Sequence, residues 1–162
     1  MTHFLTLVAL GIALVSTLAE AKSIRLHVIG KVVKITVIGD QEHPNIGDQT
    51  ITSAALFDDE EEDTQVGTGV GICTIFSVPP QDTLSQCLLT AVFDDKGQIM
   101  FGGVVPPPTI GAVGRFGILG GTNDFRTARG EVTLVVLDPD TQDATFDIEI
   151  DSERRHGKFT AP

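Results

Sequence analysis

Few residues in this 162-residue chain have the types and spacing that chemistry requires. Cys73 and Cys87 flank Pro79-Pro80-Gln81-Asp82-Thr83, a turn signal between two apolar runs. A hairpin folded about Pro80 puts residue 73 opposite residue 87, and directly opposed residues on antiparallel strands approach closely enough to bridge. A disulfide is therefore expected, contributing about 3 kcal/mol in the chain-entropy model. The alternative is two buried free thiols. Neither cysteine has CxxC or Cys/His spacing, so no zinc site is expected. The acidic run Asp58-Asp59-Glu60-Glu61-Glu62-Asp63 lacks the turn glycine of a calcium loop and has Gly69 in place of the bidentate glutamate, so it reads as a solvated loop. Gly67-x-Gly69-x-Gly71 leads into another strand-like run without Rossmann spacing or a helix, which points to bulges or close packing. His27, His43 and His156 are scattered, and no serine stands in a nucleophile-elbow context.

The charge balance narrows the partners. Eleven Lys+Arg against 22 Asp+Glu give a net charge of −11, with no basic stripe except the short C-terminal Arg154-Arg155-His156-Gly157-Lys158, read as a frayed tail. Nucleic-acid binding is not expected, because affinity for a phosphate backbone comes largely from clustered Lys and Arg. The same charge disfavours anionic membrane surfaces. With 41% hydrophobic and 20% charged residues, the chain has the makings of one domain with a core.

The first 21 residues read differently from the rest. Phe4 to Leu18 form an apolar run that ends at Ala19-Glu20-Ala21, the pattern of a secretory signal peptide cleaved before Lys22. About 15 apolar residues are too few to span a ~30 Å hydrocarbon core comfortably. Removing residues 1–21, Glu20 among them, leaves residues 22–162 as a single secreted, extracellular domain of 141 residues with 21 acidic groups.

Which elements position the remaining side chains? The mature chain shows short β-rich runs divided by turn residues and no convincing helical period. Eight runs are read: Ile24 to Ile38, Gln49 to Phe57, Val66 to Val78, Leu84 to Phe93, Gln98 to Val105, Val113 to Leu119, Glu131 to Leu137 and Ala144 to Ile150. Gly30 marks a bend or bulge in the first. In the last, Phe146, Ile148 and Ile150 alternate with Asp147, Glu149 and Asp151, as in a strand with one wet face. The connections Asp94-Asp95-Lys96-Gly97 and Asp138-Pro139-Asp140-Thr141 are too short for crossover helices, so neighbours are antiparallel. A closed barrel or a sandwich follows. Leu84 to Val92 is apolar on both faces, which suits a doubly buried strand or a barrel strand whose outer face meets another subunit, so a homo-oligomer is a further expectation.

The segment Gly120-Gly121-Thr122-Asn123-Asp124-Phe125-Arg126-Thr127-Ala128-Arg129-Gly130 resembles the GGTG-x-F/Y-x-x-A-R-G signature shared by plant dirigent proteins and bacterial relatives with the allene oxide cyclase barrel. Val66-Gly67-Thr68-Gly69-Val70-Gly71-Ile72-Cys73 is similar to the VG-x-x-x-G-x-C stretch of allene oxide cyclases, and Leu56-Phe57-Asp58-Asp59 stands where dirigent proteins carry a short aspartate motif. The resemblance spans roughly residues 47 to 137. It implies an all-β fold, an eight-stranded antiparallel barrel whose lumen holds an apolar small molecule and fixes a reactive conformer without metal or nucleotide cofactor, largely an orientation effect.

The resemblance also implies site residues. Asp58, Asp124 and Arg129 lie near the dirigent motif positions and are expected to be catalytic, polarising a phenolic or quinone oxygen. Asp124 as a turn residue and Arg129 as a barrel-end salt bridge are the structural alternatives. Cys73 matches the cavity cysteine of allene oxide cyclases and would meet the ligand if it is not bridged. The asparagine that holds the catalytic water in those enzymes falls at Ala54 or Ala55, and the first strand has no glutamate for the family's acidic role. The expectation is therefore a dirigent-like or cyclase-like isomerase, and not allene oxide cyclase activity itself. A non-catalytic carrier and a barrel packed solid by its own side chains are the alternatives.

Overall fold

The computed structural model describes residues 21–40, 42–58, 63–79 and 82–151. Eight strands form one closed antiparallel barrel in chain order: β1 (Ala21–Ile38), β2 (Gln49–Asp58), β3 (Gln65–Ser77), β4 (Leu84–Phe93), β5 (Gly97–Val105), β6 (Val113–Gly121), β7 (Arg129–Asp138) and β8 (Thr141–Asp151). The barrel closes through β1. Its first half pairs with β8, from Ala21 opposite Asp151 to Lys31 opposite Thr141, and its second half with β2, from Val28 opposite Asp58 to Ile38 opposite Gln49. Eighteen residues let one strand serve both neighbours. Closure leaves no unpaired edge, which separates a barrel from a sandwich.

Period-two alternation fixes the inside. Val132, Phe146 and Ile148 are essentially inaccessible, as is Ile99, and each such fully buried side chain contributes roughly 1.5–3 kcal/mol. Five phenylalanines make a continuous chain of contacts: Phe125 to Phe93 at 5.6 Å, Phe93 to Phe146 at 5.7 Å, Phe146 to Phe101 at 5.4 Å and Phe101 to Phe116 at 5.8 Å between centroids. Three of these four are edge-on, the arrangement favoured by the ring quadrupole.

Phe125 comes from outside the strands. Between β6 and β7 the chain makes a 3₁₀ turn, Asn123–Phe125, which folds Phe125 to 3% exposure across one end of the barrel. Amide-to-carbonyl bonds from Asp124 to Lys96 and from Thr122 to Gln98 hold it. Gly121 is required there, since a Cβ would lie 2.5 Å from the Gln98 carbonyl. Gly130, at φ +131°, runs so close to the Asp147 carbonyl that a Cβ would overlap it. Much of the glycine-arginine signature therefore builds the plug of the barrel.

One local expectation is corrected. The β1 irregularity falls between Val32 and Lys34, not at Gly30, which stays in regular register opposite Leu56 and Gln142. Val33 is the displaced residue and is 71% exposed. A Cβ at Gly30 would meet only ordinary contacts, so its backbone is free to remain in the ladder.

Candidate functional site

The lumen has two unlike halves. At the plugged end the phenylalanine chain fills it. Beyond Phe101 the inward positions become small: Gly30 on β1, Ala54 on β2, Gly69 and Gly71 on β3, Ala91 on β4 and Ala144 on β8. A Cβ added at Gly69 would lie 3.6 Å from Leu56 and 3.8 Å from Ala54, so there is room at that wall. The missing side chains leave a partly open cavity of about 70 Å³, lined from every strand except β6.

Its walls are apolar, with two polar side chains in the inward register. Thr52 is two residues before Ala54, and Gln142 is two before Ala144. Together they offer a hydroxyl and an amide, both able to donate and to accept hydrogen bonds. Among the described residues, no ionisable side chain lines the cavity. Along β1, β7 and β8, charged groups of the outward phase pair across the strands. Arg25 Nε donates to Asp147 Oδ1 at 2.6 Å, Arg115 Nη1 to Glu131 Oε1 at 2.8 Å, and His27 Nε2 lies 2.5 Å from Asp143 Oδ1. The Asp147 carboxylate holds the exposed Arg25 guanidinium pKa above its ordinary value through that hydrogen bond and its charge.

The residues singled out in the sequence occupy separate places. Arg129 opens β7 on the outer face, half exposed, with Nε 3.2 Å from Glu149 Oε2 and Nη2 3.0 Å from Asp151 Oδ1. Asp124 is exposed on the 3₁₀ turn of the plug. Asp58 ends β2 in inward register opposite Val28, at the plugged end. None of the three lines the cavity. Cys73 and Cys87 face each other across β3 and β4 and form the expected disulfide, with Cα atoms 4.0 Å apart. Cys73 therefore carries no thiol to a ligand, and the cystine packs against the core as two apolar sulfurs. Of the two alanines at the asparagine position, Ala54 lines the cavity, while Ala55 takes the opposite, outward phase.

Thr52 and Gln142 went unnoticed in the sequence. Gln142 continues the inward phase of Ala144, Phe146 and Ile148 by one step, a signal that lies just outside the Ala144–Ile150 run. Residues 1–20, Asp59 to Glu62 and the basic C-terminal segment lie outside the described residues, and with them most of the signal-peptide reading.

A closed barrel with an aromatic-filled half and a small, apolar, uncharged cavity in the other defines a lumen-type β-barrel. The family model for the allene oxide cyclase barrel like domain matches residues 31–148, and the chain belongs to that family. No curated protein matches it in sequence. Among solved structures, a pyocyanin demethylase is 27% identical, with 76% of this chain and 99% of that one covered at a TM-score of 0.65. A Diels-Alderase from Streptomyces koyangensis is 19% identical over 88% of this chain and 75% of its own, at 0.67. A pterocarpan synthase dirigent protein is 19% identical over 80% and 95%, at 0.59. The last two are likenesses of fold.

Proposed function

We propose that this chain is an exported, cyclase-like barrel that takes an apolar small molecule into the Thr52–Gln142 half of its lumen. It steers a cofactor-free cyclisation or stereoselective coupling there. The carrying observation is the cavity lining: apolar, uncharged, with one hydroxyl and one amide to fix orientation. A concerted ring closure exchanges π for σ bonds, and a radical coupling pairs two unpaired electrons in one new σ bond; neither bond-forming step passes a proton to the protein. Walls that fix the reacting conformer are the contribution such a reaction needs. The neighbours named as Diels-Alderase and dirigent protein support this class of chemistry. In this reading steering belongs to Thr52 and Gln142, and Asp58, Asp124 and Arg129 act from outside the cavity.

Size sets what enters. A volume of about 70 Å³ equals roughly two waters at ~30 Å³ each, well under the 300 Å³ or more of a drug-sized site. The cavity takes one end of the molecule, and the rest lies toward the rim near Val32 and Leu89. Export rests on the apolar Phe4–Leu18 run, the A-x-A pattern before Lys22 and the Cys73–Cys87 bridge. Cleavage there removes only Ala21 from β1.

The lack of an acid or base among the described residues that line the cavity equally suits a carrier, and one experiment separates the two. The mature protein is titrated with the neutral fluorophore N-phenyl-1-naphthylamine. A phenol is then coupled by a one-electron oxidant with and without the protein, and the product enantiomers are resolved. Saturable one-to-one binding with an enantiomeric excess supports steering. Binding with racemic product leaves a carrier, and no binding sinks both. An exported N-terminus other than Lys22 overturns the cleavage assignment.

A further inference from the structure

The inner wall of the barrel changes phase within β1. Up to the bulge the even-numbered residues face the lumen, with Val28 buried in the core and Gly30 and Val32 lining the cavity. The bulge takes up Val33 as an extra residue, and beyond it Ile35 stands opposite Thr52 and Val37 opposite Thr50. Directly opposed residues share one face of a sheet, and Thr52 lines the cavity, so the odd-numbered residues now face inward. In an unbroken ladder Val33 would stand opposite Ser53 and Lys34 opposite Thr52, which would aim an ammonium into the mouth of the lumen. One extra residue keeps Lys34 on the outside and turns Ile35 in.

Ile35 combines inward register with exposure. It is 52% exposed, whereas Val32, the next inward residue below it, belongs to the cavity wall. An inward apolar side chain left in water marks where the lumen opens, on the side of β1 and β2. One step further out Val37 pairs with Thr50, and Thr50 faces Cys73 on β3, whose sulfur is held in the disulfide. From the cavity to the rim, the inward phase of β1, β2 and β3 therefore carries no ionisable group. Thr50 is one two-residue step beyond Thr52, roughly 7 Å along the strand.

We propose that Ile35 and Val37 form a specificity-determining lip, and that the β1 bulge, by aiming them inward in place of Lys34, selects neutral, elongated ligands. This rests on the reading of the lumen as the ligand site. The cavity of about 70 Å³ holds one end of the molecule, and the remainder runs out along β1 and β2 over Ile35, taking an apolar side chain out of water. Thr50 offers a hydroxyl to a second oxygen of the ligand, roughly 7 Å from the one held at Thr52. An anionic group in the mouth would lose hydration and meet no cation on these three strands. The lip thus favours an alcohol, ketone or ester over the corresponding carboxylate or sulfonate.

The test compares two probes with the same rings, neutral N-phenyl-1-naphthylamine and anionic 8-anilino-1-naphthalenesulfonate, by calorimetric titration of the mature protein. Wild type is expected to bind the neutral probe one to one and about tenfold or more tightly than the sulfonate. Ile35→Lys should weaken the neutral probe about tenfold and strengthen the sulfonate about tenfold, reversing the preference. Thr36→Lys, at the adjacent outward position, should change neither affinity. Should Ile35→Lys fail to fold, Ile35→Ala decides, with the neutral probe weakened about fivefold and the sulfonate not strengthened. A wild type that binds neither probe brings down the lumen reading, and this inference with it. Neutral-probe binding that is lost in Ala54→Leu, in the cavity wall, yet unchanged by either Ile35 variant leaves the lumen site standing and overturns the lip. A wild type that prefers the sulfonate, or a Thr36→Lys effect equal to that of Ile35→Lys, overturns it as well.

Discussion

Replacing Ala54 by leucine tests the lumen site by filling it. Ala54 lies in the wall of the cavity, and the substitution adds three carbons of roughly 30 Å³ each, about 90 Å³ against the 70 Å³ present. Burying them contributes about 2.4 kcal/mol at ~0.8 kcal/mol per carbon. Overpacking against Leu56 and Gly69 opposes this by about 1–3 kcal/mol. The two terms nearly cancel, so urea unfolding should show a stability within about 1 kcal/mol of wild type. Binding should not survive, because the volume is gone: affinity for N-phenyl-1-naphthylamine is expected to fall at least tenfold, about 1.4 kcal/mol. The chain has no Trp or Tyr, so the fluorescence of the ligand is read against little protein background. Leu88→Glu, on the outer face, is the control that should leave this affinity unchanged. A folded Ala54→Leu protein that binds the fluorophore as tightly as wild type would refute the assignment of the site to the lumen.

Three further outcomes are expected. Gly69→Ala should be nearly neutral in urea unfolding, since its Cβ meets only ordinary contacts, whereas Gly67→Ala drives a Cβ into the Val92 carbonyl and should lose about 3 kcal/mol or fail to fold. Equal effects at the two sites would contradict the register of β3 against β4. Cys73→Ser with Cys87→Ser removes a bridge across 14 positions and should lower stability by about 3 kcal/mol by the same assay, leaving the β-sheet spectrum intact. In the β7–β8 turn, the Asp138 carboxylate accepts the Asp140 amide at 2.8 Å and bonds Thr141, which lowers its pKa below the ordinary 3.8. Its contribution is therefore present above pH 4 and lost as the pH falls through the depressed value, so the stability gap between wild type and Asp138→Ala should be constant from pH 7 to 5 and close below pH 4.

What could be read without coordinates followed from side-chain phase. All eight strands were legible, Leu84–Phe93 to the residue, because turn residues bound each run and most runs alternate between a dry and a wet face. The bridge between Cys73 and Cys87 was legible for the same reason, being symmetric about Pro80. The bulge at Val33 was not, since it is set by how β1 serves β2 and β8 at once and no residue in the strand announces it. The plug was missed because its 3₁₀ turn is held by the carbonyls of Lys96 and Gln98, more than twenty residues upstream. Motif resemblance drew attention to Asp124 and Arg129, and these stand on or beside that plug. The wall of the cavity, by contrast, is made of glycines and alanines, residue types that carry no chemical signal of their own.

The division of charge between inside and outside bounds the mechanism. An ionised carboxylate or guanidinium in so narrow an apolar lumen would lose its hydration with no partner to replace it, a penalty of several kcal/mol, and the barrel instead places Arg25, Arg115 and Arg129 outside, each on an acidic partner. A threonine and a glutamine are uncharged, so placing them there costs far less than placing an ion. They can orient a carbonyl or hydroxyl of a ligand, yet neither changes protonation near neutral pH. A turnover that depends on them alone should therefore be flat with pH between 5 and 9, apart from unfolding. A bell-shaped profile in that interval would require an ionisable group in contact with the substrate, and Asp58, in inward register at the plugged end, would then be the first residue to replace.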